Sequence, residues 1–106
     1  HPMSSIQERG DAIEKKYAHD AEMQFKAEAR RNKLLGLWAA ELMSKTGADA
    51  DAYAREVIKS DFEEAGDEDV FRKVAGDLGD MVTEQELRAK MAELAIMAKA
   101  KILAAA

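Results

Sequence analysis

Residues 17–40 read YAHDAEMQFKAEARRNKLLGLWAA, and this run decides the fold. Its first half is dense in charge; its second half is apolar and holds the chain's single tryptophan, Trp38. No proline interrupts it. Met23, Ala27, Leu34, Trp38 and Leu42 recur near helical spacing, and Leu35 and Leu37 widen the stripe. The run is predicted as one long helix, exposed at its start and buried at its end.

Toward the carboxyl end the same periodicity continues, with no alternating strand pattern. Thr46-Gly47 is the expected stop of the long helix, because glycine takes the left-handed conformation that ends helices. A second helix is expected from about Asp49, with Tyr53, Ala54, Val57, Ile58 and Phe62 inward, ending at Ala65-Gly66. Asp67 is placed to cap a third helix by accepting a free backbone N–H. That helix carries Val70, Phe71, Val74 and Leu78, and Gly76 and Gly79 keep it short. Thr83-Glu84-Gln85-Glu86 is a capping box, opening a last helix with Leu87, Met91, Leu94, Ala98 and Ile102 on one side.

Toward the amino end the signal thins. Ile6, Ile13 and Tyr17 share a face, but Gly10 interrupts them, at roughly 1 kcal/mol against alanine inside a helix. Short isolated helices are marginal in water, so this segment is expected to be frayed when free and helical against a partner. His1-Pro2 before Met3 reads as an expression remnant. The expected organisation is residues 1–3 as remnant and start, 4–19 as a flexible arm, and 20–106 as an all-α, compact four-helix bundle.

Composition narrows the function classes. The 106 residues suit one domain; 35% are charged, with a net charge of −5, which disfavours a general nucleic-acid surface. Without cysteine there is no disulfide, thiol nucleophile or thiolate metal site. No apolar run approaches the roughly 20 residues of a membrane span, and no basic-plus-apolar leader is present, so a cytoplasmic address is expected.

Several constellations could carry chemistry. His19, Asp20 and Glu22 do not place two strong ligands on one helical side, so neither a metal nor a cofactor is expected there. The acidic stretch Asp61, Glu63, Glu64, Asp67, Glu68 and Asp69 lacks the spaced oxygens of a calcium loop. Capping and solvation explain it, with a partner-facing patch as the alternative. Lys26, Arg30, Arg31 and Lys33 form a basic group; Lys26 and Arg30, four apart, either pair with Glu22 and Glu28 or hold a phosphate, which would make adenine-nucleotide binding available to this helix. No nucleophile, base and orienting acid converge, so a binding protein is expected rather than an enzyme.

The run YAHDAEMQFKAEARRNKLLGLWAAE, with AYAREV at Ala52–Val57, DFEEAGDEDVFRKV at Asp61–Val74 and ELRAKMAEL at Glu86–Leu94, resembles the zeta subunit family. These are small inhibitor subunits of the bacterial F-type ATP synthase. The resemblance implies a four-helix domain bearing an amino-terminal inhibitory arm. That arm folds as it wedges into a catalytic αβ interface of the ATPase head and blocks rotation in the hydrolytic direction. The implied partners are the α, β and γ subunits, which would hold the protein at the inner membrane without insertion. Carried onto this chain, Ile6, Ile13 and Tyr17 would be buried anchors, while Arg9, Glu14, Lys15 and Lys16 would make polar contacts. Ile6 and Ile13 stand where the family more often has phenylalanine. The alternative is a nucleotide-responsive helical module with a weak or non-inhibitory arm, using Lys26, Arg30 and Arg31.

Overall fold

A computed structural model describes residues 2–61 and 66–105, with side chains from residue 19 onward. Four helices follow in order: α1 (Pro2–Leu42), α2 (Gly47–Ser60), α3 (Glu68–Leu78) and α4 (Glu84–Ala105), with a short 3-10 turn at Gly79–Met81 before α4. Among the described residues there is no strand, and no helix is long and apolar enough to cross a membrane. The all-α four-helix reading stands. At about 1.5 Å per residue α1 spans ~62 Å, which accounts for the 64 Å long dimension of the molecule. Its backbone is helical from Pro2 straight through Gly10. The side chains of the arm residues Ile6, Arg9, Ile13, Glu14, Lys15, Lys16 and Tyr17 lie outside the described residues, as does Phe62.

The helix ends depart from expectation in instructive ways. The long helix stops at Leu42, before Gly47: Ser44 adopts φ 61°, and Lys45 N–H donates to the Ala40 carbonyl at 2.8 Å. That six-to-one bond closes the last turn as a glycine would. Gly47, also left-handed at φ 54°, instead opens α2 after the extended Thr46. α2 ends at Ser60, ahead of the expected Ala65-Gly66. Asp67 precedes α3 without its carboxylate accepting a capping N–H; that group is turned to Arg31. The capping box is present: Glu86 N–H donates to Thr83 Oγ1, and Thr83 N–H donates to Glu86 Oε1, each at 3.1 Å.

The core lies between α1, α2, α3 and the first half of α4. Leu35, Ala39, Ala40, Tyr53, Val57, Val70, Val74, Leu78, Leu87, Met91 and Leu94 form one buried cluster. The predicted inward sides of α2, α3 and α4 are recovered. The predicted α1 stripe is rotated: Leu35, Gly36, Ala39 and Ala40 are buried, Leu34, Leu37 and Trp38 only half so, and Leu42 is exposed. The cause is a close helix crossing. A Cβ on Gly36 would stand 2.6 Å from the Ala54 Cα, so α2 rests directly on the small residues of α1. The larger side chains flank that contact. Trp38 is partly buried and packs against the core, with the Lys90 ammonium 5.6 Å from its ring centroid.

Candidate functional site

Arg31 and Asn32 are the charged and polar residues buried where α1 leaves the four-helix body; Arg31 is 4% exposed. A guanidinium stays in such a place only if acceptors meet it. Its Nε donates to Asn32 Oδ1 at 2.9 Å, and Nη1 pairs with Asp67 Oδ1 at 2.9 Å. Asn32 Nδ2 donates to Asp61 Oδ2 at 2.8 Å. Arg31 thereby ties α1 to the residue that closes α2 and the one that opens α3. Its Nη2 is different: buried, 3.9 Å from Asp61 Oδ2, and without a hydrogen-bond partner among the described residues.

Beside Arg31 lies a cleft of about 600 Å³ between α1 and α4. Met23, Ala27, Ala95, Ile102 and Leu103 supply apolar surface, and His19, Asp20, Gln24, Glu28, Arg31 and Lys99 supply polar groups. Its position follows from the topology. The start of α3 is held between the two long helices, by Asp67 on Arg31 of α1 and by Glu68 on Arg88 of α4 at 3.0 Å. α2 and α3 cover the α1–α4 pair on one side of that point. On the other side, toward the amino end of α1, all lining residues come from α1 and α4 alone.

The basic group read from the sequence is divided. Arg31 lines the cleft; Lys26 and Arg30 do not. Lys26 pairs with Glu22 at 3.0 Å on the exposed side of α1, which holds the Glu22 carboxyl below its usual range. Lys99 and His19 are the cleft residues that the sequence reading did not connect with Arg31. Lys99 comes from another helix at a great distance along the chain, and periodicity within one helix carries no signal for it.

The acidic stretch also separates into individual roles. Asp61 and Asp67 serve Arg31 and Asn32; Glu68 meets Arg88; Asp69 is buried and paired with Arg72. Glu63 and Glu64 lie outside the described residues. Arg88 also donates to Glu84 Oε1 at 3.1 Å and lies 3.9 Å from the centroid of the Phe71 ring, and its hydrogen bond and charge hold the Glu68 carboxyl below the ordinary range. On the opposite side of α3, Tyr53 Oη donates to Asp77 Oδ2 at 2.8 Å; burial and that acidic neighbour push the phenol well above its usual range. Among the described residues no three His, Asp or Glu side chains are grouped to hold a metal ion. The Arg31–Asp67, Glu68–Arg88 and Tyr53–Asp77 pairs join helices.

A solved structure, described as the solution NMR structure of the protein, is similar to this chain at 60% identity and a TM-score of 0.72. The match covers 79% of this chain and 99% of that one. No curated protein matches the chain. The family model described as ATPase inhibitor subunit zeta matches residues 3–101, nearly the whole length, and the chain belongs to that family.

Proposed function

We propose that this protein inhibits ATP hydrolysis by the catalytic head of the F-type ATP synthase, inserting residues 4–19 at a catalytic αβ interface. The observation that carries the reading is the family match over 3–101, which spans the arm as well as the bundle. The protein acts as a non-enzymatic wedge held by the α, β and γ subunits and reaches the inner membrane only through them. Ile6, Ile13 and Tyr17 enter the interface as apolar anchors, with Arg9, Glu14, Lys15 and Lys16 in polar contacts around them. The bundle, residues 20–106, is the body that carries the arm. Ordering a helix on a partner is entropically unfavourable, and burial of the three anchors offsets that loss. Purified ATPase head is expected to lose hydrolysis as this protein is added, and to keep it when the added protein lacks Ser4–His19. Full hydrolysis at saturating full-length protein would overturn the reading.

A second reading, an adenine-nucleotide site on the bundle, is favoured by one observation: the buried Nη2 of Arg31 beside the cleft, which makes no hydrogen bond among the described residues. A phosphate accepting from that nitrogen would complete the hydrogen bonding of the guanidinium. Lys99 stands on the same cleft, Asp20, Gln24 and Glu28 offer acceptors to sugar hydroxyls, and Met23 and Ile102 offer apolar contact to a base. NMR titration with ATP and ADP tests it. Shifts must cluster on His19, Arg31 and Lys99; weak, uniform shifts that follow magnesium count against it.

A further inference from the structure

α4 is apolar on two opposite sides. Leu87, Met91, Leu94 and Ala98 are buried in the body, as a bundle helix requires. Ala89, Ala92, Ile96, Ala100 and Leu103 are also spaced by three and four, and every one of them is exposed, with Leu103 and the neighbouring Lys99 standing where this stripe meets the mouth of the cleft. Ile96 is 72% exposed, Leu103 58% and the neighbouring Met97 53%. An amphipathic helix needs one apolar side, and isolated surface apolar residues need no explanation; a contiguous second stripe along most of a helix marks a contact surface.

We propose that this outer stripe of α4 docks a second copy of the same chain, the two α4 helices packing side by side and parallel. The flanking charges select both the partner and the direction. At 3.6 residues per turn, Arg88 and Lys99 border the stripe on one side, and Glu86 and Glu93 border it on the other. In a two-fold parallel pair the basic border of each copy meets the acidic border of the other; in an antiparallel pair like charges meet. A stripe bordered this way is complementary to itself. Within its own copy Arg88 is held by Glu68 and Glu84, and Glu93 by Lys90 through a weak exposed pair. Lys99 forms no ion pair among the described residues and is the cation that reaches the other copy's Glu93. The alanines of the stripe let the helices approach closely around Ile96 and Leu103. One helix side falls short of the roughly 1,600 Å² that stable complexes bury, so the dimer is weak and depends on concentration. α1 and α4 run antiparallel within each copy, so a parallel dimer presents both amino-terminal arms at one end.

The chain has no cysteine, which makes thiol cross-linking a clean test. In the full-length protein, Ala100→Cys places one thiol on the stripe, and Asp51→Cys places one on the exposed side of α2 as a control. Under mild oxidation Ala100→Cys is expected to form disulfide dimers about tenfold faster than the control, because pairing raises the local thiol concentration. Adding Ile96→Lys should remove the acceleration. Glu93→Lys or Lys99→Glu alone should slow cross-linking, and the two together should restore it. All of these positions are exposed, so helicity by circular dichroism should be unchanged. Equal rates for Ala100→Cys and Asp51→Cys would overturn the proposal. So would faster pairing between Ala92→Cys and Ala100→Cys chains than of Ala100→Cys with itself, since that is the antiparallel arrangement. Failure of the charge exchange to restore the rate would overturn it as well, leaving the apolar stripe to a different protein.

Discussion

The two ends of the α1–α4 pair are made from the same two helices and are built differently. At one end Leu35, Ala39 and Ala40 face Val57, Val74 and Leu87 in a closed core, because α2 and α3 cover the pair. At the other end Met23 and Ala27 face Ala95, Ile102 and Leu103 across an open cleft. The residues at the open end are as apolar as many at the closed end. What they lack is a third helix, so amphipathic pattern alone does not produce burial. Arg31 stands at the boundary.

Five measurements would break or sharpen this contrast. The largest effect belongs to the closed end. Leu35→Ala removes a fully buried side chain and should lower stability by about 2–5 kcal/mol, against less than about 1 kcal/mol for Met23→Ala on the cleft. The comparison is read from urea midpoints at unchanged slope, and equal losses would erase the distinction between the ends. At the boundary, Arg31→Ala removes charge-assisted bonds to Asn32 and Asp67 and a longer ion pair to Asp61, and should cost about 2 kcal/mol. Arg31→Met, which keeps the apolar stem, should recover part of this.

Gly36→Ala sets two effects against each other. Alanine improves helix propensity by about 1 kcal/mol, but the added methyl meets backbone at Ala54, an overpacking penalty of about 1–3 kcal/mol. A net loss of about 1 kcal/mol in thermal unfolding is expected, and a gain would mean that α2 is free to move off α1. Thr83→Ala deletes half of the capping box and should cost about 1 kcal/mol, with amide exchange rising in the first turn of α4 and not at its end.

The smallest effect is the exposed pair between Glu68 and Arg88. The Glu68 carboxyl is held below its ordinary range, so its contribution is present above the usual carboxylate range and fades as pH falls through the lowered folded value. The difference in melting temperature between the parent protein and Arg88→Gln should be measurable near about pH 7, shrink as acid protonates Glu68 and shrink with added salt. A difference that persists in acid would assign the effect to stacking on Phe71 instead.

Much of the fold was legible along the chain. The inward sides of α2, α3 and α4 followed from spacing, and the α4 start followed from the Thr83–Glu86 exchange, because these are local rules acting within a turn or two. The α1 stripe was misplaced because large apolar residues were read as the inner ones. A close crossing buries glycine and alanine first, and only the position of Ala54 reveals that Gly36 sits at such a crossing. The helix stop was misplaced for a related reason: glycine is the usual left-handed residue, yet Ser44 took that conformation four residues after Ala40, whose carbonyl it helps satisfy. In the sequence Arg31 stands among neighbouring charges with Lys26 and Arg30, and such a run carries no signal of its burial or of its separation from both of them.

By itself, then, the order of residues determined an all-α chain, the number of its helices and its family. Periodicity, caps and recognisable strings depend only on residues close together. Tertiary structure decided which side of α1 is inside, that Asp61 and Asp67 answer a buried arginine, and that α1 and α4 part to form a cleft. Those outcomes depend on which helix covers which, and on how closely backbones approach where side chains are small.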